Sequence, residues 1–359
     1  MPLTGNKGEW SEVYVLFRLL AEGKLYAADN NMQRDENIYF PILKIIRKEG
    51  TQKDCEYRLE NSAPSEVLFY LNNEFQTSIP KERFFNNAEG LLQAIFAGSC
   101  SFAVPEAENF LHSIGCSRLA ASSSDKTDIT LQLHDIRTGY SPLCGFSIKS
   151  ELGNPPTLIN ASKATNFVYC VENLTQQDVQ DINACNSRTK IQDRMNLIRE
   201  RGGRIVFSHP YNSTFSRNLL MIDTQFENIL AEAIKIHYFD GLLCCSDIVE
   251  RLQETDPLQL GNQDVYAYKF KQFLYAAALG MTPSTHWNGF EDANGGYIIV
   301  TDRGDILTFY IYNKTYFENY LLNTTRFERA STTKHEYASI YTENNRNYLN
   351  LNLQIRFLK

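Results

Sequence analysis

Hydrophobic and polar residues between Asp125 and Glu151 form a pattern that predicts two strands joined by a polar turn. The first strand, Asp128 to Leu133, is rich in β-branched and aliphatic residues. The turn, Arg137 to Cys144, contains a glycine and a proline, and the second strand, Gly145 to Glu151, alternates between polar and apolar positions. We therefore predict a β-hairpin at this place in the chain.

The polar face of the second strand carries side chains that could bind a metal ion or take part in catalysis. Successive strand side chains point to opposite faces, so Ser147, Lys149 and Glu151 share one face. In a hairpin, Asp128 lies near Lys149, and two acids and a lysine meet at one end of the sheet. Phosphodiester hydrolysis needs carboxylates that hold a divalent metal and a lysine that positions water or stabilises charge. The same residues also occur on the polar faces of ordinary strands.

A helical pattern occupies the start of the chain. Asn6 and Glu9 have the spacing of a capping box. An apolar stripe follows and ends at Gly23; its members are Trp10, Val13, Tyr14, Phe17 and Leu20. Glu12 lies away from the centre of this stripe. It belongs either to a site beside the hairpin or to a solvated helix surface.

Polar clusters after the hairpin are candidates for phosphate contacts. We predict a short helix from Thr157 to Asn166, in which Ser162, Lys163 and Asn166 are residue types that contact a nucleic-acid backbone. The segment Ser331 to His335 contains Thr333, Lys334 and His335, which are of the same types. An exposed polar surface without a ligand is the alternative for both clusters.

The last predicted strand, Tyr348 to Phe357, alternates cleanly after a hairpin made of Tyr297 to Thr301 and Ile306 to Tyr312. One of its faces carries Asn350, Asn352, Gln354 and Arg356. Asn and Gln pair bidentately with adenine edges, and Arg pairs with guanine, so this face is a candidate for DNA contact. A half-exposed edge strand is the alternative.

Composition limits the class of protein. At 359 residues, with 43% hydrophobic and 12% aromatic residues, the chain is globular and large enough for one elaborated domain or two. We find no apolar run of about 18 residues and no signal peptide, so we expect a cytoplasmic protein without a membrane partner. Eight cysteines show no metal-ligand spacing. The net charge of −7 does not by itself favour nucleic-acid binding.

Three separated parts of the chain resemble the HpaII-type restriction endonucleases. They are NKGEWSEVYVLFRLLAEGKLYAAD near the start, GNPPTLINASKATNF after the hairpin, and GGYIIVTDRGDIL with YLNLNLQIRF near the end. Asp128 and Lys149 also resemble the Asp…(Asp/Glu)-x-Lys core of the PD-(D/E)xK nuclease superfamily. Ser147 departs from that pattern, because the superfamily has Asp or Glu at this position.

The resemblance implies a type II restriction endonuclease that cleaves double-stranded DNA at CCGG (C^CGG), leaves 5′-phosphate ends and is blocked by cytosine methylation. It implies Mg²⁺ held by Asp128 with Glu151 or Glu12 as a second metal ligand, since a serine is a weak ligand. Lys149 would orient or activate the attacking water. The resemblance further implies a homodimer on DNA and a companion methyltransferase in the same cell, with no direct contact between the two enzymes.

The expected fold class is α/β, with a restriction-endonuclease-like mixed β-sheet core flanked by helices. We divide the chain into a first core helix (1–35), an inserted subdomain (36–116), a catalytic core (117–255) and a C-terminal α/β part (256–359) that is rich in strands and contacts DNA. Two alternatives remain: a sequence-specific DNA-binding protein without nuclease activity, and an endonuclease of the same fold with another recognition site.

Overall fold

The chain has a mixed α/β architecture in a computed structural model that describes residues 2–29, 33–49, 54–120, 127–261, 264–310 and 314–358. It divides into two units. Unit 1 comprises Met1–Pro156 and Glu291–Phe317, and unit 2 comprises Thr157–Phe290 and Glu318–Leu358. The beginning of the predicted hairpin stretch (Asp125) and the end of a predicted C-terminal strand (Tyr312) lie outside the described residues.

The helices and strands follow one another along both units. The helices are α1 (Lys7–Glu22), α2 (Lys81–Ala97), α3 (Pro105–Ser113), α4 (Gln176–Ala184), α5 (Lys190–Glu200), α6 (Ser213–Ile222), α7 (Phe226–Phe239), α8 (Cys245–Thr255), α9 (Asp264–Leu279), α10 (Lys314–Thr324) and α11 (Thr332–His335). The strands are β1 (Lys24–Ala28), β2 (Arg34–Lys48), β3 (Asp54–Arg58), β4 (Glu66–Leu71), β5 (Glu74–Pro80), β6 (Ile129–Leu133), β7 (Leu143–Ser150), β8 (Thr157–Ile159), β9 (Asn166–Glu172), β10 (Arg204–Pro210), β11 (Gly296–Val300), β12 (Ile306–Tyr310), β13 (Thr325–Phe327), β14 (Ile340–Glu343), β15 (Arg346–Asn352) and β16 (Ile355–Phe357).

Unit 1 is organised around a mixed sheet whose strand order is β1-β12-β11-β7-β6-β2-β3-β4-β5. The pairs β1–β12 and β7–β11 are parallel, and the other pairs are antiparallel. The expected mixed α/β architecture is therefore confirmed. The sheet also has a feature that we did not expect: β1 pairs with β2, which closes a circuit of six strands.

The length of β2 explains this closure. The strand has 15 residues; its first part pairs with β1, as in Tyr26↔Tyr39, and its second part pairs with β6, as in Ile45↔Leu131. A single long strand thus has a different neighbour along each half. The hydrophobic pattern of the sequence does not reveal such a change of partner.

The predicted hairpin of β6 and β7 is confirmed. The two strands are antiparallel, with Ile129 opposite Phe146 and Leu131 opposite Cys144. On its other side β7 pairs in parallel with β11, which places Ile299 beside Lys149. The hairpin therefore lies inside the sheet, with a hydrogen-bonded neighbour on each side.

Helix α1 has the predicted ends. The Asn6 side chain accepts from the Glu9 backbone N–H, and the Glu9 carboxylate accepts from the Asn6 backbone N–H, so both halves of the capping box are present. Gly23 ends the helix with a φ of 68°, a left-handed conformation that suits glycine. The apolar side of α1 is buried in a core shared with α2, α3 and strands of the sheet.

Unit 2 contains two further sheets, with strand orders β10-β9-β15-β14 and β13-β16-β8. The predicted helix Thr157 to Asn166 was wrong. Residues Thr157–Ile159 instead form β8, because they pair with β16, and a short 3₁₀ turn follows at Lys163–Thr165. Threonine and isoleucine are β-branched and fit a strand better than a helix.

The final predicted strand is divided into β15 and β16. At the break, the Leu353 N–H donates to the Thr165 carbonyl, and the Gln354 carbonyl accepts from the Glu328 N–H. These contacts with other segments replace continuous pairing with one neighbour. The alternation of the sequence continues through the break, so it could not indicate the division.

No helix among the described residues is both long enough and apolar enough to cross a membrane.

Candidate active site

Asp128 joins the start of β6 to β7 through its backbone and its side chain. Its backbone N–H donates to the Phe146 carbonyl at 2.9 Å. Its carboxylate atom Oδ2 accepts from the Ile148 backbone N–H at 2.6 Å and from the Ser147 hydroxyl at 3.1 Å. The carboxylate is thus held against β7 by two donors of that strand.

Lys149 is connected to the same carboxylate through Ser147. The Lys149 ammonium donates to Ser147 Oγ at 2.9 Å, and Ser147 donates to Asp128. The Lys149 Nζ atom also lies 5.2 Å from the centre of the Tyr297 ring, on the parallel neighbour β11. The structure therefore brings together three of the predicted site residues in one hydrogen-bonded chain.

The environment of Lys149 disfavours its charged form. Burial lowers the pKa of Lys149 from the ordinary value of 10.5, and the charges of Asp128 and Glu12 oppose this effect. An amine with a depressed pKa loses its proton more easily, which suits a group that orients or activates water. Asp128 and Glu12 are the acids that act on this lysine.

Glu12 and Lys149 line the same cavity, which has a volume of about 750 Å³. We call it the Lys149 cavity. The other lining residues come from the start of α1, the end of β7 and two loops: they are Asn6, Lys7, Gly8, Glu9, Gly98, Ser99, Cys100, Ile148, Ser150, Leu152, Gly153, Asn154 and Pro156. Lys149 and Glu12 therefore lie in the wall of one cavity of unit 1.

Glu151 lies in a different environment from Glu12. It follows the end of β7, and its carboxylate forms a hydrogen bond with the backbone of Asp302 in the turn between β11 and β12. Burial raises the pKa of Glu151, with the charge of Asp302 acting in the same direction. Glu151 is absent from the lining of the Lys149 cavity. Glu12, and not Glu151, is therefore the acid that acts on Lys149 together with Asp128.

The donor chemistry of the site fits a hard divalent cation. Among the residues that the structure describes, no group of three or more His, Cys, Asp or Glu side chains could hold a metal ion by itself. Mg²⁺ does not need such a group, because it is commonly bound by one or two carboxylates together with water and substrate phosphates. Asp128 and Glu12 can supply two carboxylates.

Four of the residues predicted to contact DNA are accessible in unit 2. Thr333 and Lys334 are exposed on α11, and Ser162 is half-buried at the start of the 3₁₀ turn. Lys163 is exposed, and its ammonium forms an ion pair with Glu336 at 2.5 Å. These side chains can reach a ligand without a change in the fold.

Other residues that we predicted to contact DNA are buried in unit 2, where they form hydrogen bonds within the protein. Asn352 and Asn166 are 2% and 1% exposed, and the Asn352 amide donates to Asn166 Oδ1 and to the Ser162 carbonyl, both at 2.7 Å. The Asn166 amide donates to the carbonyl of His335, which is itself buried. Their contact with DNA stays a prediction.

Gln354 and Arg356 complete the predicted polar face. Gln354 is buried, and the Arg356 guanidinium forms an ion pair with Glu328 at 2.5 Å. The predicted face spans the break between β15 and β16, and Gln354 lies in that break. Strand alternation also does not show whether a face meets solvent or another layer of the protein.

Sequence reasoning missed the contribution of Tyr297 to the site. The residue lies about 150 positions from Lys149 along the chain, and only the parallel pairing of β11 with β7 brings the two together. A parallel pair leaves no local signal comparable to the turn of a hairpin.

Comparisons with known proteins cover the whole chain. A family model described as HpaII restriction endonuclease matches residues 6–357. The type II restriction enzyme HpaII of Haemophilus parainfluenzae is 40% identical over 360 residues, which is 99% of each chain. No solved structure gave a significant match.

The substitution Lys149→Met tests the burial of the lysine charge. The pKa of Lys149 in the folded protein lies below its ordinary value of 10.5. Between the folded pKa and 10.5 the unfolded chain binds more protons than the folded protein does, so the stability of the wild type rises with pH over this range. Below the folded pKa the full penalty of burying the charge is present. We therefore expect the stability of Lys149→Met relative to the wild type to decrease steadily as the pH rises from 7 towards 10.5, because the wild type gains stability over this range and the variant does not.

Denaturant unfolding at several pH values measures this difference. The matched control is Lys48→Met, at an exposed position at the end of β2, which should show no such trend. A stability difference between Lys149→Met and the wild type that does not change with pH would contradict the expected penalty.

Proposed function

The chain belongs to the HpaII restriction endonuclease family, and we propose that it cleaves double-stranded DNA at CCGG, between the two cytosines, with Mg²⁺. It is a type II site-specific deoxyribonuclease. The observation that carries the proposal is the hydrogen-bonded chain from Lys149 through Ser147 to Asp128, beside a cavity that Glu12 also lines. Hairpin β6–β7 and helix α1 would be the equivalents of the nuclease core of the PD-(D/E)xK superfamily.

Each side chain of the site has a distinct role. Asp128 and Glu12 would hold the metal ion, which when bound supplies positive charge to the phosphate under attack. Lys149 orients the attacking water, and its depressed pKa favours the neutral amine, which accepts a proton from that water. The water oxygen forms a bond to phosphorus as the bond to the 3′-oxygen breaks. The 3′-oxygen takes up a proton from water and leaves as a hydroxyl, and the phosphate stays on the 5′ end of the other fragment.

Ser147 stands where the superfamily has an acid, and its contacts suggest a different task. It accepts from Lys149 and donates to Asp128, so its single hydroxyl fixes the spacing of the two catalytic groups. An acid at this position would add a third negative charge near Asp128 and Glu12. We propose that Ser147 positions Lys149 and that Glu12 supplies the second carboxylate.

The symmetry of the substrate implies a partner. A palindromic site presents the same scissile bond on both strands, and two active sites related by a two-fold axis match it. We propose a homodimer on DNA, with Ser162, Lys163, Thr333 and Lys334 of unit 2 as phosphate contacts. A companion methyltransferase that modifies the same cytosines would protect the DNA of a bacterial cell, in whose cytoplasm both enzymes would act.

Digestion of a plasmid tests the substrate. Purified protein is incubated with unmethylated plasmid and Mg²⁺, next to the same plasmid methylated at the cytosines of CCGG and next to a reaction with EDTA. We expect discrete fragments only from the unmethylated plasmid with Mg²⁺, and sequencing should place every end within CCGG. Fragment ends at another sequence would replace the proposed site, and random degradation would remove site specificity.

The substitution Lys149→Ala tests the catalytic assignment. Because the lysine acts on the reacting groups and lies in unit 1 beside the cavity, we expect sequence-specific DNA binding to be kept and the cleavage rate to fall by about 100-fold or more. Binding is measured with a labelled duplex, and cleavage is measured on the same duplex under single-turnover conditions. A cleavage rate equal to that of the wild type would remove Lys149 from the mechanism.

A further inference from the structure

The sequence neighbours of Glu12 and Lys149 meet in the interior of unit 1. Ser11 precedes Glu12 on α1, and Ser150 follows Lys149 as the last residue of β7. Their hydroxyl oxygens are 2.8 Å apart, although 139 positions separate them along the chain. Ser11 is 0% exposed and Ser150 is 9% exposed, so water does not compete freely for this hydrogen bond.

The surrounding contacts determine the direction of the bond. The Ser11 hydroxyl donates to the Lys7 carbonyl at 2.7 Å. Because a serine has one hydroxyl proton, Ser11 must accept from Ser150. Ser150 in turn accepts from the Leu152 backbone N–H at 3.3 Å. The result is a directed chain of donors, Leu152 to Ser150 to Ser11 to Lys7, in which both hydroxyl protons are used.

This chain ties the two walls of the Lys149 cavity together. Lys7 and Glu12 belong to the wall formed by α1, and Lys149 and Leu152 belong to the wall formed by β7 and the residues after it. The apolar contacts that also pack α1 are non-directional, whereas a hydrogen bond constrains both distance and angle. Helix α1 is also held by the buried hydrogen bond from the Tyr14 hydroxyl to the Gly304 carbonyl, and the serine pair adds a directional contact between the residues adjacent to Glu12 and Lys149.

We propose that Ser11 and Ser150 are positioning residues, which set the Glu12 carboxylate against Lys149 and Asp128 and thereby set the affinity of the site for a divalent cation. This inference rests on the proposed function, because it takes Glu12 as a metal ligand. The hydroxyl protons of both serines are used inside the protein, because Ser150 donates to Ser11 and Ser11 donates to Lys7. Their effect passes through the backbone of the residue next to each of them.

The variants Ser11→Ala and Ser150→Ala test the inference. Loss of a residue that orients a metal ligand typically weakens metal binding by about tenfold or more. We expect each variant to need about tenfold more Mg²⁺ for half-maximal cleavage, with a rate at saturating Mg²⁺ close to that of the wild type. A second readout needs no cleavage: the rise of Tm with Mg²⁺ concentration reports binding to the folded state.

Two controls separate positioning from general structure. Ser113→Ala removes a helical serine that donates to the Phe110 carbonyl in α3, away from the Lys149 cavity, and it should not change the Mg²⁺ requirement. Ser11→Ala is also combined with Glu12→Gln. If Ser11 acts through Glu12, the combination should bind Mg²⁺ no more weakly than Glu12→Gln alone.

An unchanged Mg²⁺ requirement in both serine variants would overturn the inference, and so would a further tenfold loss when Ser11→Ala is added to Glu12→Gln. If Ser11→Ala lowers the yield of folded protein, Ser150→Ala alone decides, since Ser150 lies closer to the surface. Failure of the wild type to cleave any DNA with Mg²⁺ would overturn the proposed function itself. A wild type that cleaves, with serine variants that match it, would overturn only the role of the serines.

Discussion

The Asp128 carboxylate is the group on which both the hairpin and the site depend. It lies where the pairing of β6 with β7 begins, and one of its oxygens accepts both the Ile148 backbone N–H and the Ser147 hydroxyl. The same contacts bring Ser147 within reach of Lys149. A lysine taken out of water needs compensating charge and hydrogen bonds. Asp128 and Glu12 provide that charge, so folding and chemistry share one set of contacts.

The sheet of unit 1 gathers these groups from distant parts of the chain. Helix α1 brings Glu12, the hairpin brings Asp128 and Lys149, and β11 brings Tyr297 from a segment near the C-terminus. The six-stranded circuit encloses β7 between two hydrogen-bonded neighbours. The position of Lys149 is therefore constrained from both sides, and this constraint would suit the proposed role of the lysine in orienting water.

The sequence predicted those features that depend on local chemistry. The capping box of α1, the β6–β7 hairpin and the convergence of Asp128 with Lys149 follow from spacing within short segments. The choice between Glu12 and Glu151 as the second metal ligand does not follow from such spacing. Alternation places Glu151 on the face of Lys149, but β7 ends at Ser150, and the chain turns so that Glu151 meets Asp302. Because Glu151 lies just beyond the end of the strand, the alternation of the strand does not predict the direction of its side chain.

A second limit concerns burial. Asparagine is a residue type that reads bases in protein–DNA complexes, and its amide can equally well donate to backbone carbonyls inside a protein. Asn166 and Asn352 could serve either purpose as far as the sequence shows. In unit 2 the Asn352 amide donates to Asn166 Oδ1 and to the Ser162 carbonyl, and the Asn166 amide donates to the His335 carbonyl. Which of the two uses applies depends on the layer that covers the strand, and that layer comes from residues far away in the sequence.

The central claim is that Glu12 and Asp128, beside Lys149, form the metal-dependent centre. Cleavage of a CCGG duplex by Glu12→Gln and by Glu151→Gln, measured over a range of Mg²⁺ concentrations, tests it most directly, because both changes remove one charge and keep the shape of the side chain. The account predicts that Glu12→Gln loses cleavage and that Glu151→Gln cleaves like the wild type. Loss of cleavage in Glu151→Gln, together with full activity in Glu12→Gln, would contradict it.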